Sequence, residues 1–184
     1  DLDINARAQL SLLEVCRQVA PDVRIVFAST RQIYGKPHYL PVDEAHPLQP
    51  VDVNGINKLA GEQYHLLYSQ VYGIHSTVLR LTNTYGPRMR IKDARQTFLG
   101  VWIRNLLQGK PFEVWGGNQL RDYTYVDDCV SALQLSANSD AAISFRTEFL
   151  APVTVTSPFR LQPPTMRKRS LVEACEDAIS EVYL

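Results

Sequence analysis

Four short stretches of the 184-residue chain concentrate the side chains able to hold a proton or a phosphate. They are Ser29-Thr30-Arg31-Gln32-Ile33-Tyr34-Gly35, Asn54-Gly55-Ile56-Asn57-Lys58-Leu59-Ala60-Gly61-Glu62, Leu79-Arg80-Leu81-Thr82-Asn83-Thr84-Tyr85-Gly86-Pro87 and Arg121-Asp122-Tyr123-Thr124-Tyr125-Val126-Asp127-Asp128. Asn54 and Lys58 stand four residues apart, so a helix puts them on one face, where the ammonium favours an anionic neighbour. The Asn54 amide does not ionise, and asparagine also suits a helix N-cap. Arg121 carries a planar fork of donors that fits phosphate oxygens, with an ion pair to Asp122, Asp127 or Asp128 as the plainer reading. For Asn83, after a β-type run, the plain reading is a turn former. For Trp115 and Phe98 it is core packing.

Other chemistries find little support. His38, His46, His65 and His75 are scattered, as are Cys16, Cys129 and Cys175, so neither a metal site nor a disulfide framework is expected; the cysteines read as small core residues. Nineteen basic and nineteen acidic side chains cancel, leaving no field to gather polyanions, and the basic run Arg167-Lys168-Arg169 reads as solvated. No nucleic-acid partner is expected. No apolar run approaches the ~18 residues that cross a bilayer, and the start lacks a signal-peptide pattern, so a cytoplasmic location without membrane contact is expected.

The elements that must position these residues alternate. Leu10, Leu13, Val15 and Cys16 at helical spacing predict a helix that stops at Pro21-Asp22. The run 23–28 predicts a strand buried on both faces, followed by polar Ser29 and Thr30. A Pro- and His-rich loop over 35–53 leads to a helix from near Asn54, carrying Leu59, Leu66, Leu67 and Val71 and C-capped by Gly73. His75 to Leu81 predicts a second strand, Phe98 to Leu107 a helix, and Phe112 to Trp115 a short strand. The Arg121–Asp128 stretch leads into a helix with an Asp near its N-cap and Val130, Leu133 and Leu135 behind it. After about Asn138 four prolines interrupt the pattern until an amphipathic helix over 171–182. The class is α/β, and functional loops at strand ends are what such a sheet predicts.

In order and spacing the four stretches resemble the extended short-chain dehydrogenase/reductases, and more narrowly the NAD-dependent nucleotide-sugar epimerase/dehydratase family, over about residues 5–137. The resemblance implies a partial Rossmann-like, doubly wound parallel sheet with a small C-terminal substrate-binding part. Residues 1–90 would be the C-terminal half of the NAD-binding domain, 91–137 part of the nucleotide-sugar region and 138–184 a divergent tail. The family oxidises a sugar hydroxyl with NAD, a Tyr four residues before a Lys acting as base. Lys58 matches the Lys, which also reaches the nicotinamide ribose, and Thr30 matches the Ser/Thr that hydrogen-bonds the reacting oxygen. Asn54 stands at the base position. Asn5 matches an Asn near the cofactor. Asn83 and Arg121 match groups on the substrate diphosphate, Trp115 an aromatic against the nucleotide base, and Phe98 the start of the helix after the sugar-nucleotide loop.

Three explanations of Asn54 compete. It hydrogen-bonds the substrate while Tyr85, Tyr34 or a water moves the proton; it marks a catalytically silent member; or it only caps the helix. Where the family's dehydratases carry an acidic pair after the Ser/Thr, this chain has Arg31 and Gln32, so the resemblance points to 4-epimerisation of a UDP-hexose. The Gly-rich dinucleotide turn and its following acidic residue are not in this sequence, so weak or no NAD binding by this chain alone is expected. Open edges and apolar faces would then favour a homo-oligomer. Two rival classes are a non-catalytic nucleotide-sugar-binding module and an assembly protein on the same scaffold.

Overall fold

The computed structural model describes residues 1–92, 98–114 and 121–139. They fall into two compact units, described separately below: residues 1–82 with those from Asp128 on, and residues 83–127.

The first unit is a β-α-β element with an extra helix. A π-helical turn, Asp3–Arg7, runs into α1 (Ala8–Val19), rich in Ala, Leu, Gln and Glu that helices favour. Strand β1 (Arg24–Thr30) pairs in parallel with β2 (His75–Leu81), in register from Arg24 opposite His75 to Thr30 opposite Leu81. A parallel pair needs a long crossover, here α2 (Val53–Tyr72). The α/β class and the parallel sheet are as expected, and β1 continues two residues further, so Ser29 and Thr30 belong to the strand.

Helix α2 corrects the expected burial. Gly73 caps its C-terminus at φ +73°, as anticipated, but its N-cap is Asp52, whose Oδ1 accepts from the Gly55 N–H. Asn54 therefore lies inside the first turn, and capping does not explain it. The face turned inward carries Asn57, Gly61, Glu62, His65 and Tyr68, while Leu67 and Val71 are exposed. Gly61 allows the close approach: a Cβ there would sit 2.6 Å from the Asn5 carbonyl oxygen and 2.9 Å from Phe27 Cζ. Leu13, Tyr68 and Ile74 form the apolar core with Ile25 and Tyr64 against it. The Tyr68 hydroxyl donates to Glu14 Oε2 at 3.0 Å, joining α2 to α1.

In the second unit, β3 (Asn83–Tyr85) pairs in parallel with β4 (Tyr123–Tyr125), with α3 (Phe98–Leu107) between them in sequence. Helix α3 lies where its spacing predicted. Strand β3 was not anticipated, because three residues are too few to show an alternation. No strand forms over 112–114; Phe112 instead stacks on Trp102 at 5.7 Å. Helix α4 (Val126–Asn138), which from Asp128 on belongs to the first unit, buries Cys129 and Ala132, whereas Val130 and Leu135 are exposed, so its inward face is turned from the expected one. Cys129 is core as expected, Cys16 is half-buried, and Cys175 and the helix expected over 171–182 lie outside the described residues.

Candidate active site

Thr30 ends β1, and Asn54 and Lys58 lie in the first turns of α2, each with its own partners. Thr30 caps a 3-10 turn, Arg31–Tyr34: its Oγ1 accepts from the Gln32 N–H at 3.3 Å. The Gln32 side chain bridges onward, its Oε1 accepting from Thr30 Oγ1 at 3.3 Å and its Nε2 donating to Asp52 Oδ2 at 3.0 Å. Asp52 thereby holds the strand-end turn with one carboxylate oxygen and the start of α2 with the other. The chain can return so tightly because residue 35 is glycine, at φ +66°, where a Cβ would lie 2.0 Å from the Gln49 carbonyl oxygen.

Lys58, half-buried, lies 4.8 Å above the Phe27 ring and donates through Nζ to the Ala28 carbonyl oxygen at 2.7 Å. Burial lowers its pKa from 10.5, and the nearby Glu62 carboxylate opposes that shift. The Asn54 Nδ2 reaches Asp1 Oδ1 at 3.5 Å, and the same oxygen accepts from Asn5 Nδ2, so Asn5 and Asn54 share one carboxylate. Nothing in this arrangement gives Asn54 a proton-accepting atom of the strength of a phenolate.

Tyr34, one of the alternative proton acceptors, is otherwise engaged. It is buried, its hydroxyl accepts from Arg80 Nη1 at 2.8 Å, and burial pushes its pKa up. A base must titrate downward toward neutrality, so this tyrosine does not meet the need. Arg80 continues to Glu62, with Nε at 3.2 Å from Oε1 and Nη2 at 3.0 Å from Oε2, both side chains essentially without exposed surface. The Ser29 hydroxyl donates to Glu62 Oε1 as well. Sequence reasoning missed Gln32, Asp52, Glu62 and Arg80 as organisers of the site. Two signals were available: an Asp just before a helical run, and an Arg inside the apolar stretch Val78-Leu79-Arg80-Leu81.

The expected substrate residues lie in the second unit. Asn83 opens β3, its Nδ2 donating to the Asp122 carbonyl oxygen at 2.8 Å, which locks the β3–β4 pairing at its start. Arg121 is exposed and two residues before β4. Phe98, expected as core, is 37% exposed and begins α3 with its ring 5.0 Å from Trp102 and 6.3 Å from Tyr123. Tyr85 packs edge-on against Tyr123 and Tyr125. Trp115 lies outside the described residues. Among the described residues no group of three His, Cys, Asp or Glu could hold a metal, and no helix is long and apolar enough to cross a membrane.

The sequence profile of the NAD dependent epimerase/dehydratase family matches residues 1–146. The chain belongs to that family. It is 39% identical over 140 residues to a Methanocaldococcus jannaschii protein assigned as a UDP-glucose 4-epimerase, covering 75% of this chain and 45% of that one. Among solved structures, the UDP-N-acetylglucosamine 4-epimerase of Methanobrevibacter ruminantium, in complex with UDP-N-acetylmuramic acid, superposes with a TM-score of 0.70. That likeness has 28% identity and covers 75% of this chain and 44% of the other. The Thermus thermophilus UDP-glucose 4-epimerase in complex with NAD gives a TM-score of 0.65 at 33% identity, over 76% of this chain and 47% of that one. The chain thus spans less than half the length of these relatives.

The family's cofactor suits the groups beside Lys58. An ammonium has three donors, and Lys58 spends one on Ala28; one residue earlier in α2, the buried Asn57 Nδ2 meets no acceptor among the described residues. The remaining donors of the Lys58 ammonium match the acceptor oxygens of a ribose.

Proposed function

We propose that this chain is part of an NAD-dependent nucleotide-sugar 4-epimerase acting on a UDP-hexose. The observation that supports the reading is Lys58 held on the Ala28 carbonyl, two residues before Thr30 at the end of β1, with Gln32 tied to the helix-capping Asp52 where a dehydratase would carry an acid. Bound NAD would supply a reversible acceptor for the hydride of the sugar carbon. Thr30 Oγ1 would hold the reacting oxygen, Lys58 and Asn5 would serve the cofactor end, and Asn54 would orient the substrate by donating a hydrogen bond. Arg121 and Asn83 would bind the diphosphate, with Trp115 and Phe98 toward the nucleotide. In this reading residues 1–90 form the cofactor-binding half, 91–137 the nucleotide-sugar part and 138–184 a divergent tail. A homo-oligomer belongs to the same proposal, motivated by exposed Leu12, Val15 and Val19 along one side of α1 and by exposed Leu67 and Val71 on α2.

Asn54 favours a second reading, a module that binds a nucleotide sugar without turning it over. Calorimetric titration of UDP and a UDP-hexose, with and without NAD and with Arg121→Ala, addresses both. Binding that falls at least about tenfold on removing the guanidinium is the expected result. No binding of either ligand to the unsubstituted chain would defeat both readings.

A further inference from the structure

We infer that the buried Arg80–Glu62 pair, with Tyr34 and Ser29, is a positioning device that sets Thr30 and Lys58 relative to one another. The inference rests on the proposed reaction centre and adds residues that touch neither sugar nor cofactor in it. Its four members come from four pieces of chain that the centre needs: Ser29 precedes Thr30 in β1, Tyr34 ends the 3-10 turn that Thr30 caps, Glu62 lies one helical turn after Lys58, and Arg80 lies opposite Ser29 in β2. The guanidinium uses every side. Nε and Nη2 grip the carboxylate, Nη1 donates to the Tyr34 hydroxyl, and the cation lies 5.1 Å from the centre of the Tyr34 ring.

Stability alone is a poor reason for such a group. Desolvating two charges costs about as much as their attraction returns, and packed apolar residues of similar volume often replace a buried pair without loss. What an apolar cluster lacks is direction, since it permits small slides of a helix over a strand. A bidentate pair does not. Here a slide of α2 along β1 would break the three contacts from Arg80 Nε and Nη2 to Glu62 and the Ser29 contact together, and would carry Lys58 off the Ala28 carbonyl.

The test compares the full chain with the double substitution Arg80→Met and Glu62→Met and with the mild Tyr34→Phe, by backbone hydrogen exchange and by NMR of the Lys58 ammonium. In the double variant the thermal midpoint should stay within a few degrees. Exchange at the Gln32 and Gly55 amides should rise about tenfold while that at Phe27 and Val78 holds, and the slowed proton exchange of the Lys58 ammonium should be lost. Tyr34→Phe should shift the Gln32 amide in the same direction by a smaller factor, and it carries the test if the double variant does not fold. Unchanged exchange at Gln32 and Gly55 in a folded double variant, or at Gln32 in Tyr34→Phe, overturns the inference, as does a rise spread evenly over β1, β2 and α2. These readouts need no turnover, so an inactive chain would count against the proposed function and leave this comparison intact.

Discussion

Lowering the pH from neutrality should weaken the fold through one buried imidazole, His65. The ring has no exposed surface and stacks on Phe27 at 4.7 Å. Its Nδ1 is 2.6 Å from Ser76 Oγ and its Nε2 3.2 Å from Gln9 Oε1. Gln9 donates its own amide nitrogen to the Ile4 carbonyl, so its oxygen faces the ring, Nε2 carries the proton and Nδ1 accepts from the serine: a neutral imidazole. Burial pushes the pKa from 6.5 down to about 4. Between those values the unfolded chain takes up a proton that the folded one refuses. Stability is therefore complete above about pH 6.5 and drains as pH falls toward about 4. The loss is about 2 kcal/mol near pH 5 and about 3 kcal/mol at its limit. With a urea slope of about 1–3 kcal/mol/M, the unfolding midpoint should drop by about 1 M between pH 7.5 and 5. Urea titrations followed by circular dichroism at fixed ionic strength would measure it, for the unsubstituted chain and for His65→Gln. The variant should be less stable at pH 7.5 but nearly flat over this window. Glu14, held at about 2 chiefly by its Arg17 hydrogen bond, destabilises only as pH falls below 4.5 and so does not interfere. Parallel pH profiles for the two proteins would refute the reasoning.

Two further substitutions probe the site's construction. Asp52→Ala removes both the acceptor for Gly55 N–H and the partner of Gln32, and should cost about 1–2 kcal/mol in urea unfolding; a loss within error would show that the cap is not what starts α2. Asn54→Tyr puts a phenol one helical turn before Lys58, and with NAD and a UDP-hexose it should raise turnover by at least about a hundredfold if the missing base is the limiting defect. No gain in a folded variant that binds both ligands would place the defect elsewhere.

Several elements of both units were legible because their signals are local. A β-branched run bounded by polar residues, a helical stretch ended by Gly73 and the limits of β2 and α3 depend on neighbours along the chain, and each emerged close to where it was expected. The approach of Lys58 to the end of β1 was expected from the family resemblance alone. What the sequence could not convey was which side of α2 and α4 turns inward. Composition pointed to leucines and valines, yet α2 buries Asn57 and also Glu62 and His65, the last two tolerable because partners from other strands and helices meet them. The Gln32–Asp52 bridge, the retirement of Tyr34 into the Arg80 network and the short β3–β4 pair arise the same way, from groups 18 to 46 residues apart brought within hydrogen-bond range. Residue types and spacing named the chemistry available to this chain, while long-range contacts decided which of those side chains are held in place and which do the holding.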